Sequence, residues 1–252
     1  MPPRQGHDVP PPPNWPETVT YLHKSRLSPS FPPSLLPLLY HPSTSPSTVT
    51  AVSRTTYNPR PIKHPPSIMI KRIAQIGHPA NGQFGLFAKG KIKPDELIIP
   101  YLGVIHATLT PDVSDAASNG VEDEKSGGDV DEHTESDYDL SLLRLSASDI
   151  RNPHNAQTGE STGGYHVSIG VDAAKAGNAA RFVNDYRGIK DKQQGGANAE
   201  FRLGQGENGE LRMEIWSLKA QGGKNASASK GGIEKGEEIL VSYGKGWWGA
   251  RR

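Results

Sequence analysis

Short apolar runs separated by turns fill the chain from Ser67 onward, and they constrain the fold more than any other feature. The runs are IMIKRIAQI, FGLFA, ELIIPYLGVIH, YDLSLLRL, HVSIGVD, NAEFRL, LRMEIWSL and EEILVSY, with glycine, proline and lysine between them. Runs of this kind, bounded by turn-forming residues, predict strands. We therefore expect a mostly β domain over residues 67–252, in which only Asp172 to Tyr186 has a helical pattern.

Two segments have compositions that predict disorder. Residues 1–66 are dense in proline, serine and threonine, which favour extended conformations over packed elements, and we interpret them as a tail. Within this tail, Phe31 to Tyr40 is apolar enough to dock on a folded body or to bind a partner, and an unordered segment fits the sequence equally well. Residues 110–137 hold ten acids and one lysine, which predicts a disordered acidic insert in the domain.

The charge of the chain is unevenly distributed. The acidic insert contributes −9 to a total of +1, which leaves +10 on the remaining residues. An acidic loop can attract basic tails such as those of histones, although most such runs only solvate an insertion. The small overall charge argues against a general nucleic-acid-coating protein, and no direct nucleic-acid site is evident.

The residue types that are missing exclude several classes of site. The chain has no cysteine, which excludes disulfides, a thiol nucleophile and cysteine-ligated zinc, and its nine histidines lack metal-ligand spacing. No apolar run approaches the roughly 20 residues of a membrane-spanning helix, and the N-terminus lacks the apolar core of a secretory signal. We expect an intracellular protein without membrane contact, in the nucleus or the cytoplasm, with the nucleus slightly favoured.

A dinucleotide-binding pattern occurs in the wrong context. Residues 204–209 read GQGENG and satisfy G-x-G-x-x-G. A dinucleotide site needs a helix after this pattern, because the N-terminal amides of that helix hold the pyrophosphate. Here the strand-like run LRMEIWSL follows, so the sequence predicts a hairpin turn.

Three segments point to a specific chemistry. The first, Gly82 to Ala88, is GQFGLFA and continues through KGKIKPDELIIPYLGVIH. The second, Gly177 to Tyr186, is GNAARFVNDY and follows HVSIGVD. The third, Gly236 to Trp248, is GEEILVSYGKGWW.

In their order and separation, these segments resemble the signatures of the SET domain of protein-lysine methyltransferases. The likeness covers roughly Ser67 to Trp248 without the acidic insert. It implies small curved sheets, few short helices and a knot-like threading of the C-terminal segment. It also implies transfer of a methyl group from S-adenosyl-L-methionine to a lysine side chain of a protein, and a histone tail is one candidate substrate. The cysteine-rich zinc lid of many relatives has no counterpart in a chain without cysteine.

The resemblance also implies roles for individual residues. It implies cofactor contacts from Gly82, Phe84, Gly85, Arg181, Phe182, Asn184 and Asp185. It implies Tyr243 as the catalytic tyrosine, and Tyr101, Tyr138 and Trp247 as walls of a substrate channel. The residues themselves leave alternatives open, since Arg181 can form a structural ion pair, Phe182 can simply pack, and strand tyrosines are often only core residues.

Asp185 departs from the family signature, which has histidine at this position. A carboxylate here would repel the carboxylate of the cofactor unless Arg181, Arg187 or Lys89 compensates. The sequence therefore leaves two functions open. One is an active methyltransferase, and the other is a SET-fold module that binds cofactor or peptide without turnover.

Overall fold

The computed structural model describes residues 10–40, 67–112, 133, 135–155, 164–189, 196–220 and 232–244. The strands are β1 (Thr20–Tyr21), β2 (Arg26–Leu27), β3 (Ile68–Arg72), β4 (Phe84–Ala88), β5 (Leu97–Tyr101), β6 (Val104–Pro111), β7 (Asp139–Leu145), β8 (Tyr165–Asp172), β9 (Ala176–Gly177), β10 (Asn184–Asp185), β11 (Ala199–Gln205), β12 (Leu211–Ser217) and β13 (Leu240–Val241). The helices are a 3-10 turn at Pro33–Leu35 that continues into α1 (Leu36–Tyr40), and a 3-10 turn at Ala179–Phe182. The predicted mostly β class is confirmed.

Two small sheets form the body of the domain. One has the strand order β2-β6-β8-β7, and the other has the order β11-β12-β5. Along β8, Val167, Ile169 and Val171 are each at most 1% exposed, which is the period-two burial expected of a strand rich in β-branched residues. They share one hydrophobic core with Ile99 and Ile215 of the second sheet.

The segment that resembled a dinucleotide loop is a hairpin turn, as predicted. β11 and β12 pair in antiparallel register from Ala199 opposite Ser217 to Gln205 opposite Leu211. Gly209 in the turn has a φ of +81°, a conformation that glycine adopts without strain. A strand and no helix follows the turn, so the structural requirement for pyrophosphate binding is not met.

The closing segment of the described chain runs between three other parts of the domain. It binds β4 through the Ile239 amide, which donates to Leu86 O at 2.7 Å. On another side, β13 pairs in parallel with β10. The Asn198 side chain fixes the same segment, because its Nδ2 donates to Glu238 O and its Oδ1 accepts from the Leu240 amide, both at 2.8 Å. This arrangement places the residues after β13 beside β10.

The prediction of a helix from Asp172 to Tyr186 is wrong. The segment holds the end of β8, then β9, one 3-10 turn and β10. The Asn178 side chain accepts from the Ala180 amide and donates to Pro100 O, so it begins a short turn and ties that turn to β5. Such side-chain bonds to the backbone compete with a regular helix, which explains the difference.

Residues 10–40 differ from the tail expected at the N-terminus. β1 pairs in parallel with β9, and β2 pairs in parallel with β6. The Phe31 to Tyr40 segment docks on the body, which was one of the two interpretations of its apolar sequence, and Leu35 and Leu39 are 0% and 1% exposed. Pro33 stands in the first turn of its 3-10 helix, where the missing amide hydrogen costs nothing. Residues 1–9 and 41–66 lie outside the described residues.

Replacing Leu35 with alanine is expected to lower the free energy of unfolding by about 3 kcal/mol, since it removes a fully buried side chain and leaves a cavity. Urea unfolding of the whole chain measures this loss. Leu36→Ala is the matched control because Leu36 is only half-buried, and it should cost less. Equal losses of unfolding free energy in the two variants would contradict the burial of Leu35 in the core.

The edges of the predicted acidic insert are also structured. Thr110 and Pro111 belong to β6. At the other edge, His133 Nδ1 lies 2.7 Å from Asp172 Oδ2, and the Ser136 hydroxyl donates to Asp172 Oδ1 at 2.7 Å. Residues 113–132 and 134 lie outside the described residues, so the predicted disorder of the insert stays a prediction for them.

Candidate functional site

Three predicted site tyrosines lie close together where β5, β7 and the closing segment meet. The Tyr101 hydroxyl donates to Tyr138 O at 2.9 Å, which fixes the end of β5 to the residue before β7. Burial raises the pKa of Tyr101 well above its ordinary value, and the nearby Tyr243 phenol adds to the rise. Tyr101 is 4% exposed, whereas Tyr138 and Tyr243 are only partly buried.

Tyr243 is bonded to both neighbours of Asn184. Its hydroxyl donates to Val183 O at 2.6 Å, and its backbone amide donates to Asp185 Oδ2 at 2.7 Å. Burial raises the pKa of the Tyr243 phenol far above its ordinary value, and the charge of Asp185 raises it further. The phenol therefore stays protonated across the physiological range and cannot serve as a general base there.

The Asp185 carboxylate is occupied by groups of the protein. Oδ1 accepts from the Arg187 amide at 2.7 Å, and Oδ2 accepts from the Tyr243 amide and lies 3.1 Å from Arg187 Nη1. Asp185 is 8% exposed, so these partners compensate its buried charge. Of the three cations considered from the sequence, the structure places Arg187 on this carboxylate.

Asn184 is held in place by its side chain. Nδ2 donates to Glu238 Oε1 at 2.7 Å and lies 3.5 Å from Phe84 O. Because the side chains of Asn184 and Asp185 both bind other parts of the protein, the backbone groups that β10 does not use in pairing with β13 remain to contact a ligand. The segment around β10 is called the Asn184–Asp185 turn below. The family resemblance implies cofactor contacts for these two residues, and this geometry is compatible with contacts through their backbone groups.

Arg181 and Phe182 are adjacent in the 3-10 turn, and the Arg181 guanidinium lies 5.2 Å from the centre of the Phe182 ring. Arg181 Nε donates to Ala173 O at 2.9 Å, and its guanidinium stacks on the Tyr138 ring at 4.1 Å. The Phe182 ring meets the Phe84 ring edge to face, with centroids 6.1 Å apart. The structure thus gives Arg181 a turn-fixing role, and it places two of the predicted cofactor residues, Phe84 and Phe182, in one aromatic wall.

The two glycines of the first motif are explained in different ways. Gly82 has a φ of +86°, a conformation that glycine adopts without strain. Nothing lies within 4 Å of the position that its Cβ would take, so the backbone and not the space explains this glycine. At Gly85, a Cβ would lie 2.6 Å from Glu238 Oε1. Gly85 therefore makes room for a buried carboxylate of the closing motif, which is a reason for glycine that does not involve a ligand.

The structure adds residues that the sequence did not single out. Glu238 belongs to the closing motif but received no role, and it is 6% exposed. Its partner His78 lies in the loop between β3 and β4, where no sequence pattern marked it. Trp15 comes from the presumed tail and meets Phe182 edge to face at 5.8 Å. Long-range packing brings these residues to the site, and Trp247 lies outside the described residues.

Glu238 is expected to make stability depend on pH in a defined direction. Burial raises the pKa of its carboxyl above its ordinary value, although Asn184 and His78 both act to lower that pKa. Because the pKa of Glu238 is higher in the folded state than in the unfolded state, protonation of Glu238 stabilises the fold. This stabilisation is fully present below the pKa of the unfolded state and is lost as pH rises through the pKa of the folded state. Urea unfolding at a series of pH values measures this effect. The free energy of unfolding of wild type minus that of Glu238→Gln should fall as pH rises from about 4.5.

Glu17→Gln is the control for this titration, because Glu17 is exposed. Its difference curve should stay nearly flat over the same pH range. A Glu238 difference that stays flat or rises with pH would contradict the assignment.

The site brings aromatic rings and polar backbone together, which are groups that a cofactor with an aromatic base can use. Phe84 is partly exposed and meets the buried Phe182 ring edge to face, and the adjacent Asn184–Asp185 turn offers polar backbone. Arg187 pairs with the Asp185 carboxylate, so one of the compensating cations considered from the sequence is in place. Among the described residues, no cluster of histidine, aspartate or glutamate is arranged to hold a metal ion. None of the helices in the described ranges is long and apolar enough to cross a membrane.

Comparisons with known proteins place the chain in a family. A search of curated proteins found no significant match. Solved structures to which the chain is similar include ATXR5 in complex with histone H3.1 mono-methylated on R26, at 15% identity and a TM-score of 0.46, covering 90% of this chain and 81% of that one. They also include ctPRC2 in an autoinhibited conformation bound to S-adenosylmethionine, at 21% identity and a TM-score of 0.36, covering 71% of this chain.

The Chaetomium thermophilum polycomb repressive complex 2 is similar at 21% identity and a TM-score of 0.33, again over 71% of this chain. The chain spans only 15% of the length of these polycomb chains. The SET domain family model matches residues 83–244, which include the Asn184–Asp185 turn and Tyr243. The chain therefore belongs to the SET domain family.

Proposed function

We propose that the chain is a protein-lysine methyltransferase that uses S-adenosyl-L-methionine. One observation carries the proposal: the Asn184–Asp185 turn and Tyr243 are bonded directly to each other. Membership of the SET domain family supports the reaction type. The cofactor would lie against Phe84, Phe182 and the backbone of the turn, and the lysine would reach it past Tyr101, Tyr138 and Tyr243, with Trp247 as a further proposed wall.

When bound, S-adenosyl-L-methionine supplies a methyl group on a positively charged sulfur, which an uncharged lysine amine can accept. The tyrosines of the site position that amine. Tyr243 and Tyr101 donate their hydroxyl hydrogens to Val183 O and Tyr138 O, so toward a substrate their oxygens act as acceptors. Acceptors of this kind align an amine, and burial strengthens the interaction since the surroundings are poorly hydrated.

The site demands no dedicated strong base. A lysine amine has an ordinary pKa of about 10.4, and a cationic sulfur nearby in a poorly hydrated channel favours its uncharged form. The raised pKa of the Tyr243 phenol agrees with a positioning role, because the phenol keeps its hydrogen. The lysine ammonium loses its proton to solvent, and the uncharged amine then accepts the methyl group.

A basic, flexible protein tail is the first substrate class to test. Residues 110–137 hold ten acids, so a lysine within a cationic segment such as a histone tail would meet favourable charge. Recombinant core histones and S-adenosylmethionine labelled in the methyl group provide the assay, with mass spectrometry to locate the modified residue. The expected product is methyllysine, and such a substrate would place the protein in the nucleus.

Cofactor binding tests the proposal without knowledge of the substrate. S-adenosylhomocysteine at about 100 times its dissociation constant should stabilise the protein by roughly 2.7 kcal/mol in a thermal-shift titration. No shift at millimolar ligand would contradict the proposed cofactor site. A saturable shift without methyl transfer to any lysine substrate would favour the other function, a SET-fold module that binds without turnover.

A further inference from the structure

A buried chain of contacts leads from the β3–β4 loop to the proposed cofactor site. His78 Nε2 lies 3.1 Å from Glu238 Oε2, and the two side chains are 2% and 6% exposed. The other oxygen of the same carboxylate, Oε1, accepts from Asn184 Nδ2 at 2.7 Å. Glu238 thus connects a histidine outside the three SET motifs to the asparagine of the proposed cofactor turn.

The contacts of the His78 ring determine which nitrogen carries its hydrogen. Nδ1 accepts from the Ala80 amide at 3.0 Å, which requires a lone pair on Nδ1 and places the hydrogen on Nε2. Nε2 is shielded from solvent and faces Glu238 Oε2, although its N–H does not point straight at that oxygen. The ring therefore presents the positive end of an N–H dipole to a buried carboxylate.

Glu238 has little room to choose another position. A Cβ on Gly85 would lie 2.6 Å from Oε1, so β4 closes one side of the carboxylate. The backbone carbonyl of Glu238 is fixed by Asn198 Nδ2 at 2.8 Å. A carboxylate that is desolvated in this way depends on its remaining N–H partners to keep one orientation.

The loop of His78 also touches the chain on the far side of the turn. A Cβ on Gly188 would lie 2.8 Å from Pro79 Cγ. The residue that follows His78 therefore packs on the segment after Asp185, while His78 acts on Asn184 through Glu238. The β3–β4 loop therefore reaches the turn region directly at Gly188 and indirectly through Glu238.

We propose that His78 is a positioning residue of the cofactor site, which holds Glu238 so that Glu238 fixes Asn184 and the backbone of the Asn184–Asp185 turn. This inference rests on the proposed function. It assigns to a loop residue outside the family motifs a share of the affinity for S-adenosyl-L-methionine. His78 itself does not touch the reacting atoms in this account, and its effect passes through the carboxylate.

Two substitutions separate the ends of the imidazole. In His78→Asn, the shorter amide can still accept from the Ala80 amide but no longer reaches Glu238. In His78→Gln, the longer amide can place an N–H near the former Nε2 position. If the contact with Glu238 matters, asparagine should weaken binding and glutamine should restore most of it. A purely structural role for the loop predicts the opposite order, since asparagine preserves the loop contact.

The measurement is the dissociation constant of S-adenosylhomocysteine for the full chain by isothermal titration calorimetry. We expect His78→Asn to weaken binding about tenfold, the scale of one hydrogen bond to a charged group, and His78→Gln to stay within about threefold of wild type. In the methyl-transfer assay, KM for S-adenosylmethionine should rise for His78→Asn while kcat changes little. Amide hydrogen exchange at Asn184 and Asp185 without ligand should quicken in the same variant.

Leu35→Ala controls for a general loss of stability, because Leu35 is a core residue of the N-terminal segment and has no role in the proposed site. It should keep wild-type affinity at a temperature where every variant is folded. If His78→Asn binds like wild type, or if Leu35→Ala weakens binding as much, the inference is overturned. If wild type itself fails to bind, the proposed cofactor site is wrong and the inference falls with it, so the two failures are distinguishable.

Discussion

Tyr243→Phe is expected to lower the rate of methyl transfer by about a hundredfold while the affinity for S-adenosylhomocysteine stays within about twofold of wild type. The substitution removes one oxygen and keeps the ring. That oxygen is bonded to Val183 O, and it is the acceptor that we propose to align the lysine amine. The backbone amide of Tyr243, which binds Asp185, is unchanged, so the cofactor turn should keep its geometry.

The comparison needs a tyrosine outside the site. Tyr40 at the end of α1 is 38% exposed, and Tyr40→Phe should leave both the rate and the affinity unchanged. A Tyr243→Phe variant that keeps the wild-type rate would contradict the catalytic role. Loss of rate together with loss of S-adenosylhomocysteine binding would show that Tyr243 mainly supports the turn.

Glu214→Ala is expected to lower the free energy of unfolding by about 4 kcal/mol, which is more than the loss expected for Leu35→Ala. Glu214 Oε1 lies 2.6 Å from Arg212 Nη2, the two side chains are 4% and 7% exposed, and Glu214 Oε2 accepts from Trp216 Nε1 at 2.7 Å. Removing the carboxylate takes away the opposite charge that lies 2.6 Å from a buried guanidinium, which is far more costly than losing the attraction of an exposed pair. The melting temperature should fall by on the order of 10 °C.

A neighbouring ion pair supplies a matched comparison for Glu214. Glu200 and Arg202 also lie 2.6 Å apart, but the Glu200 side chain is 44% exposed. Glu200→Ala should cost less than about 1 kcal/mol, because water screens an exposed pair. Replacing both Arg212 and Glu214 with apolar residues should recover most of the stability lost in Glu214→Ala. Similar costs for Glu200→Ala and Glu214→Ala would show that burial does not set the difference.

The hairpin and the helix prediction show where local reasoning worked and where it failed. The strands around residues 204–209 were predicted because period-two apolar runs and glycine turns are local signals. The helix predicted from Asp172 to Tyr186 does not form, since Asn178 bonds to its own turn and to Pro100 of β5. Its bond to Pro100 spans distant parts of the sequence, so no local window contains it.

The sequence alone determined the mostly β class and the family, because short apolar runs and three ordered motifs are properties of the chain as written, whereas the catalytic role of Tyr243 stays a prediction. Only the tertiary structure decided what surrounds those motifs. It paired Asp185 with Arg187 and the Tyr243 amide, and it brought His78 to Glu238. It also buried Leu35, which belongs to a segment whose prolines predicted a tail. These outcomes depend on burial and on contacts between residues far apart in sequence, where desolvation makes each polar partner matter and where composition carries no signal.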